Sequence, residues 1–291
     1  MRMSVTRAIL LATAFALAAC GGAGRVAFIP PAPPPSLPPP SDPPPPAQTD
    51  AIVAAAVESQ QFAAVGESSL GLESSGQLQV RYVATSDSYE VKIPEGETWD
   101  AISILSKPDP GLVDYGGNTA WLWVRTGAAL SRTYQYSALF EWADRISGVV
   151  GHEAIGMATP ASSMPAIGRA TYYGDLLGVS SEQHGDDFSV DGSVTLLFDF
   201  AAGSLTGSIT PNLHQGFGAI TLGFTDTVYS TGSTTFSGKF DTDLPGENSF
   251  SGLFTGPNAQ ELIGNFAFPY RSPNDNLVYY AGGAFVARNR Q

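Results

Sequence analysis

An all-β fold is predicted: a C-terminal eight-stranded antiparallel β-barrel, preceded by a small antiparallel sheet domain and a disordered, proline-rich N-terminal linker. Three observations predict the barrel. Apolar and aromatic residues fall on alternate positions through most of residues 168–288. The pattern Phe236-Ser-Gly-Lys-Phe240 returns as Phe250-Ser-Gly-Leu-Phe254. Turns rich in Gly, Pro, Asn and Asp bound the runs.

The alternation can be followed strand by strand. Val194, Leu196, Phe198 and Phe200 share one face, with Ser193, Thr195 and Asp199 on the other and Leu197 as the exception. Strands are expected near 166–174, 191–200, 203–211, 217–225, 233–241, 249–255, 261–268 and 279–288. A glycine between two inward phenylalanines leaves room for a bulky side chain from across the barrel. Phe198, Phe200, Leu205, Ile209, Phe236, Phe240, Phe250, Phe254, Leu262, Phe266 and Phe268 are candidates for the interior. An eight-stranded barrel has room for packed side chains or for one small ligand, and this many large residues favours the packed core. Loops are expected at Leu176–Asp191, Pro211–Gly218 and Asp226–Ser233.

The stretch Gly256-Pro257-Asn258-Ala259-Gln260-Glu261-Leu262-Ile263-Gly264, preceded by Phe254, resembles the Gly-Pro-x-Ala-x-Glu-x-x-Gly signature of the transferrin-binding protein B family of bacterial surface lipoproteins. Val194 to Phe200 followed by Leu205-Thr-Gly207 resembles a strand pair of that barrel, and Gly283 to Arg288 resembles its closing strand. The resemblance covers roughly the last 125 residues. It implies a structural role for Gly256, Pro257, Ala259, Glu261 and Gly264, with Glu261 hydrogen-bonding the loop at its turn. The best-known members carry two lobes, each a handle plus a barrel, and this chain has room for one.

At the N-terminus, Arg2 and Arg7 precede a short apolar run, Ala8 to Ala19, that ends in Leu17-Ala-Ala-Cys20. This reads as a lipoprotein signal over residues 1–19, with Cys20 the lipidated first residue of the mature chain. Cys20 is the only cysteine, so no intrachain disulfide can form. Gly21 in place of an aspartate points to the outer membrane. Residues 20–49 hold the lipidated cysteine and the proline-rich stretch from Pro30 to Pro46. Proline fixes φ and removes backbone donors, so the stretch reads as an extended polyproline II spacer of roughly 50 Å. Residues 50–75 fit either a short helix or a flexible segment.

Residues 76–160 alternate differently: Leu78, Val80, Tyr82; then Tyr89, Val91, Ile93; then Trp99 to Leu105, before a turn at Lys107-Pro-Asp-Pro-Gly111. Trp121 and Trp123 share a face, as do Tyr134, Tyr136, Ala138, Phe140 and Trp142. Order and size make this a handle-like domain ahead of the barrel domain, residues 161–291. The two tryptophans fit either of two roles, anchors of a binding surface or core of the handle.

Chemistry-bearing constellations are sparse. His152, His184 and His214 lack metal-ligand neighbours at usable spacing, and no Gly-x-Ser-x-Gly elbow occurs. Asp187, Ser189, Asp191 and Gly192 start like a calcium loop, but Phe198 stands where the bidentate glutamate belongs, so a solvated loop is expected. With no catalytic set and no resident cofactor expected, binding is the expected role, with haem or iron only as cargo. A net charge of −13 disfavours nucleic acid. The anchor and the family resemblance together imply an outer-membrane lipoprotein, facing the exterior, that captures an external protein or a metal- or haem-bearing ligand for delivery to an outer-membrane transporter. Two other readings share the same anchor: a small-ligand carrier using a barrel cavity, and a periplasm-facing envelope lipoprotein.

Overall fold

The computed structural model describes residues 63–68, 78–83, 86, 88–94, 96–109, 111–125, 130–184, 187–213 and 219–289. Cys20 and the proline-rich stretch lie outside the described residues, as does His214. Among the described residues sixteen strands fall into two sheets. The first sheet contains β1 (Ala63–Ser68), β2 (Gln79–Val83), β3 (Ser88–Lys92), β4 (Asp100–Asp109), β5 (Leu112–Gly116), β6 (Ala120–Arg125), β7 (Ser137–Asp144) and β8 (Val150–Gly156). Its order is β1-β8-β7-β6-β5-β4-β3-β2. The second comprises β9 (Arg169–His184), β10 (Asp187–Asp199), β11 (Ser204–Asn212), β12 (Leu222–Val228), β13 (Thr235–Phe240), β14 (Ser249–Thr255), β15 (Glu261–Arg271) and β16 (Val278–Asn289). It closes through β16 and β9 into an antiparallel barrel.

All eleven residues expected in the interior belong to one buried cluster. Phe254 alone has ring centroids 4.8–6.1 Å from those of Tyr172, Phe198, Phe200, Tyr229 and Phe236. The lumen is therefore filled by rings. The positions between them point outward and carry Ser193, Thr195, Thr206, Ser237, Lys239, Ser249 and Ser251. A barrel with aromatics inside and hydroxyls outside is built to stand in water; a barrel in lipid has the reverse arrangement.

The echoed pattern has a more local cause than expected. β13 and β14 are neighbours, with Phe236 opposite Gly252 and Gly238 opposite Phe250. A Cβ on Gly238 would stand 2.5 Å from Phe250 Cζ, and one on Gly252 would stand 2.4 Å from Phe236 Cζ. Each glycine thus makes space for the phenylalanine of the adjacent strand, and none is needed from across the barrel. Gly264 holds the same relation to Phe285.

The expected loop Leu176–Asp191 is mostly strand, since β9 runs on to His184 and β10 begins at Asp187. Gly174 stands at the end of the strand expected over 166–174, and Gly178 within the expected loop. In the fold they are contact points, where a Cβ would meet Val286 O and Gly282 O on β16 at about van der Waals overlap. The calcium-like residues Asp187 to Gly192 sit on β10 accordingly, and Pro211 and Asn212 still belong to β11.

The N-terminal sheet contains three strands that alternation did not reveal: β1, β5 and β8. β1 pairs with β8 over Ala63 to Ser68 and lies alongside β15 and β16. The sheet curls on itself, and Glu153 on β8 accepts the backbone N–H of Leu78, 2.5 Å away at the start of β2. Leu78, Val80, Val91, Leu122, Val124, Phe140 and Trp142 fill its concave side.

A motif that staples the two domains, and the face it leaves open

Glu261 opens β15 next to Thr255 and is only 3% exposed. Its carboxylate does not bond its own turn. Oε1 accepts the N–H of Gln135 at 2.7 Å and Oε2 that of Tyr136 at 2.9 Å, both in the segment leading into β7. Burial pushes the carboxyl upward, partly opposed by those two N–H bonds. The rest of the motif serves the same junction. Gly256 has φ of +75°, and a Cβ there would meet the Tyr136 ring at 2.5 Å. Its N–H donates to Met157 O and its carbonyl accepts from Thr159 Oγ1. Pro257 starts a single 3₁₀ turn, within which Asn258 and Ala259 adopt left-handed φ of 58° and 56°. Tyr172 Oη, inside the barrel, donates to Ala259 O at 2.5 Å and holds that turn.

Further bonds widen the seam. Asp175 on β9 accepts from Ser131 N–H and from Tyr134 Oη, which is 2.8 Å away, and Arg288 Nη1 donates to Thr133 O. Ser137 and Thr255 hydroxyls lie 2.7 Å apart. Residues 131–136 therefore form a strap across β9, β15 and β16. Beneath it Tyr134, Leu139 and Ala154 pack on Ile263, Ala284 and Val286. Tyr134 and Tyr136, expected on the strand face of Phe140, belong to this strap instead.

Strand register defines the handle's outer face. Arg125, Leu139 and Ala154 form one cross-strand row, and the barrel covers it at Leu139 and Ala154. The next row is Asp114, Trp123, Glu141 and His152; the one beyond is Gly116, Trp121, Ala143 and Val150. The face runs out from under the barrel at these rows. Trp121 is 40% exposed and Trp123 half-buried, with ring centroids 6.3 Å apart. Core residues on this strand are Ala120, Leu122 and Val124, so the handle-core role for Trp121 and Trp123 is overturned: alternation placed both on one face, and that face is the outer one. Arg145 stacks its guanidinium 4.8 Å from the Trp121 ring centroid and donates to Gly117 O. Leu105 joins the patch across Gly116. Nothing in the alternation marked Leu105 or Arg145, which meet Trp121 only through strand pairing.

His152 is 5% exposed, and its Nε2 lies 3.7 Å from Glu141 Oε2, beyond hydrogen-bond reach. Burial, and then the nearby Arg125 charge, pushes it down to about 4, so the ring is neutral near pH 7 and the contact is not an ion pair. Among the described residues no group of three or more His, Cys, Asp or Glu could hold a metal ion, and no helix is long and apolar enough to cross a membrane.

Residues 164–289 match the family model described as the C-lobe and N-lobe beta barrels of Tf-binding protein B. No curated protein matches the chain significantly in sequence. Among solved structures it is similar to a tryptophan-to-alanine mutant of transferrin-binding protein B from Haemophilus parasuis Hp5 (16% identity, TM-score 0.46, 78% of this chain and 45% of that one). It is also similar to isotype 1 transferrin-binding protein B from serogroup B Neisseria meningitidis (14%, 0.40, 74% and 52%). A third similarity is to a structure described as a surface lipoprotein (14%, 0.36, 66% and 97%). The chain thus spans about half the length of the two transferrin-binding proteins. Over residues 164–289 it carries a β-barrel domain of the transferrin-binding protein B type.

Proposed function

We propose that the protein is a lipid-anchored binding protein of the outer membrane, facing the exterior, that captures an external protein through the outer face of its handle. The observation that carries this reading is the Trp121, Trp123 and Leu105 patch, held in water on a sheet that Glu261 fixes to a filled barrel. Rigid, amphipathic indoles on a fixed platform make good interface anchors, because little freedom is lost on binding. The barrel is the scaffold, since rings occupy its lumen, which also weighs against the carrier reading. Cys20 supplies the anchor and the proline-rich stretch the reach. Haem or iron enters only as the partner's cargo, destined for an outer-membrane transporter.

Two measurements test the reading. Protease shaving of intact cells, with lysed cells as control, removes the barrel's C-terminal epitope if the protein faces outward; protection until lysis sinks the external-receptor role. A pull-down from the organism's surroundings should retain a partner on the wild-type protein and lose it on the Trp121→Ala/Trp123→Ala double variant. Equal retention by both would move the binding surface elsewhere.

A further inference from the structure

Three indoles lie off the handle core: Trp99, Trp121 and Trp123. Two of them are covered by a cation of the chain itself. Arg81 stands 4.2 Å from the Trp99 ring centroid, and Arg145 stands 4.8 Å from that of Trp121. Among the described residues no cation lies over Trp123, although its surroundings favour one most. Strand register puts Asp114 directly opposite it on β5 and Glu141 directly opposite it on β7. Directly opposed residues share a face with Cβ atoms about 4.5–5.5 Å apart, so the half-buried ring stands between two carboxylates. Asp114 Oδ2 accepts from Ser106 Oγ at 2.5 Å, while Oδ1 is buried with no hydrogen-bond partner. The Glu141 side chain is 35% exposed, and its Oε2 faces a His152 ring that is neutral near pH 7. Burial pushes the Glu141 carboxyl upward, and the Arg125 charge opposes that only in part. Arg125 lies two positions along the same face, in the row that the barrel covers. Two carboxylates against that one guanidinium leave a negative charge beside an indole to which the chain brings no cation.

We propose that Trp123, flanked by Asp114 and Glu141, is a socket for an arginine side chain of the captured protein. The proposal rests on the capture reading and specifies which group of the partner is held. A guanidinium is planar, so it stacks on the indole and turns its edge N–H groups toward the carboxylates on either side. Its charge balances the carboxylate that Arg125 leaves over. A lysine brings the charge without the plane and fits less well. Arg145 on Trp121 is the same arrangement made within the chain. The Trp121 and Trp123 ring centroids are 6.3 Å apart, so the socket sits beside a cation–indole stack that already exists. A net charge of −13 draws a basic surface toward the protein from a distance, and the socket then fixes where one of its arginines sits.

Nuclear magnetic resonance on the isotope-labelled full chain tests this, with N-acetyl-arginine methylamide as probe and the citrulline analogue as its neutral, planar isostere. The indole Nε1–H signal of Trp123, identified by its loss in Trp123→Phe, shifts saturably with the arginine probe and about fivefold or more less tightly with citrulline. Glu141→Gln and Asp114→Asn each weaken the arginine response about fivefold or more, with the Trp99 and Trp142 signals in place to show that the fold is intact. Added salt weakens it as well. An equal response to citrulline, a comparison that needs no variant, would overturn the socket, as would no response at Trp123. So would tetramethylammonium binding as tightly as the arginine probe, which would mark a site for a choline-type headgroup. Pull-downs separate the socket from the capture reading. A partner lost with Trp121→Ala/Trp123→Ala but kept by Asp114→Asn/Glu141→Gln sinks the socket and leaves capture standing. Arginine binding with no partner retained by the wild type sinks capture, and with it a partner's arginine as the occupant.

Discussion

The two sheets have eight strands each and solve opposite problems. The barrel has no edge, places its rings inside and most of its hydroxyls outside, and shows water a wall in which apolar side chains such as Leu197 and Val228 are isolated. The handle sheet ends in two strands, β1 and β2, that have no second neighbour within that sheet, and it carries indoles on its convex side. Closure supplies rigidity in the first, and the second leaves Leu105 and Trp121 exposed to water. On the proposed reading, the difference teaches that the part of the chain with the strongest sequence signature is the support, and the part with the weakest is the working surface.

The comparison can be broken most forcefully inside the barrel. Phe254→Ala removes a fully buried ring that touches five others and should cost about 3–5 kcal/mol, read as a drop in the urea midpoint. It should leave partner binding by folded protein intact; a selective loss of binding would mean the barrel does more than support. Acid comes next, and it should strike the handle. His152 is held near 4 against an ordinary value of 6.5, so its folded form is the less basic one. Its contribution to stability is full above about pH 6.5 and is lost as pH falls toward 4, on the order of 3 kcal/mol in all. Glu261, shifted upward, acts in the opposite sense. The clean measurement is therefore the difference in urea midpoint between wild type and His152→Gln at pH 7 and pH 4.5. A difference independent of pH would show that the imidazole is not what titrates.

Glu261→Ala sharpens the comparison at the seam. It orphans the N–H groups of Gln135 and Tyr136 and should cost at least about 2 kcal/mol. One calorimetric transition should split into two, the handle melting first; a single transition at lower temperature would make the seam redundant. The smallest effect belongs to the working surface. Trp121→Ala should change stability by less than about 0.5 kcal/mol, because the ring is exposed, while the retained partner is lost from the pull-down.

The barrel was legible because its interior repeats one residue type at period two, and Phe236, Phe240, Phe250 and Phe254 leave no other reading. The β9–β10 hairpin was not, since Gly174 and Gly178 signal a turn to anyone who cannot see β16 against them. β8, Val-Gly-His-Glu-Ala-Ile-Gly, buries a charge and a histidine among small residues and has no alternation to detect. For the candidate site, parity put Trp121 and Trp123 together, yet only the sign of the curl decides which face is outside. The role of Glu261 was out of reach in another way: its partners stand 126 and 125 residues earlier, and a pairing of that range leaves no local pattern.

β1 has one more consequence. It lies against β8 and alongside β15 and β16, at the waist between handle and barrel. A pull applied at Ala63 acts opposite Gly156 and close to the Thr255 seam, away from the barrel hoop. Load would peel β1 from β8 and slacken the junction before a single barrel strand slid. β1 is thus a clasp between the two sheets, the strand that gives first under a pull that leaves the barrel closed.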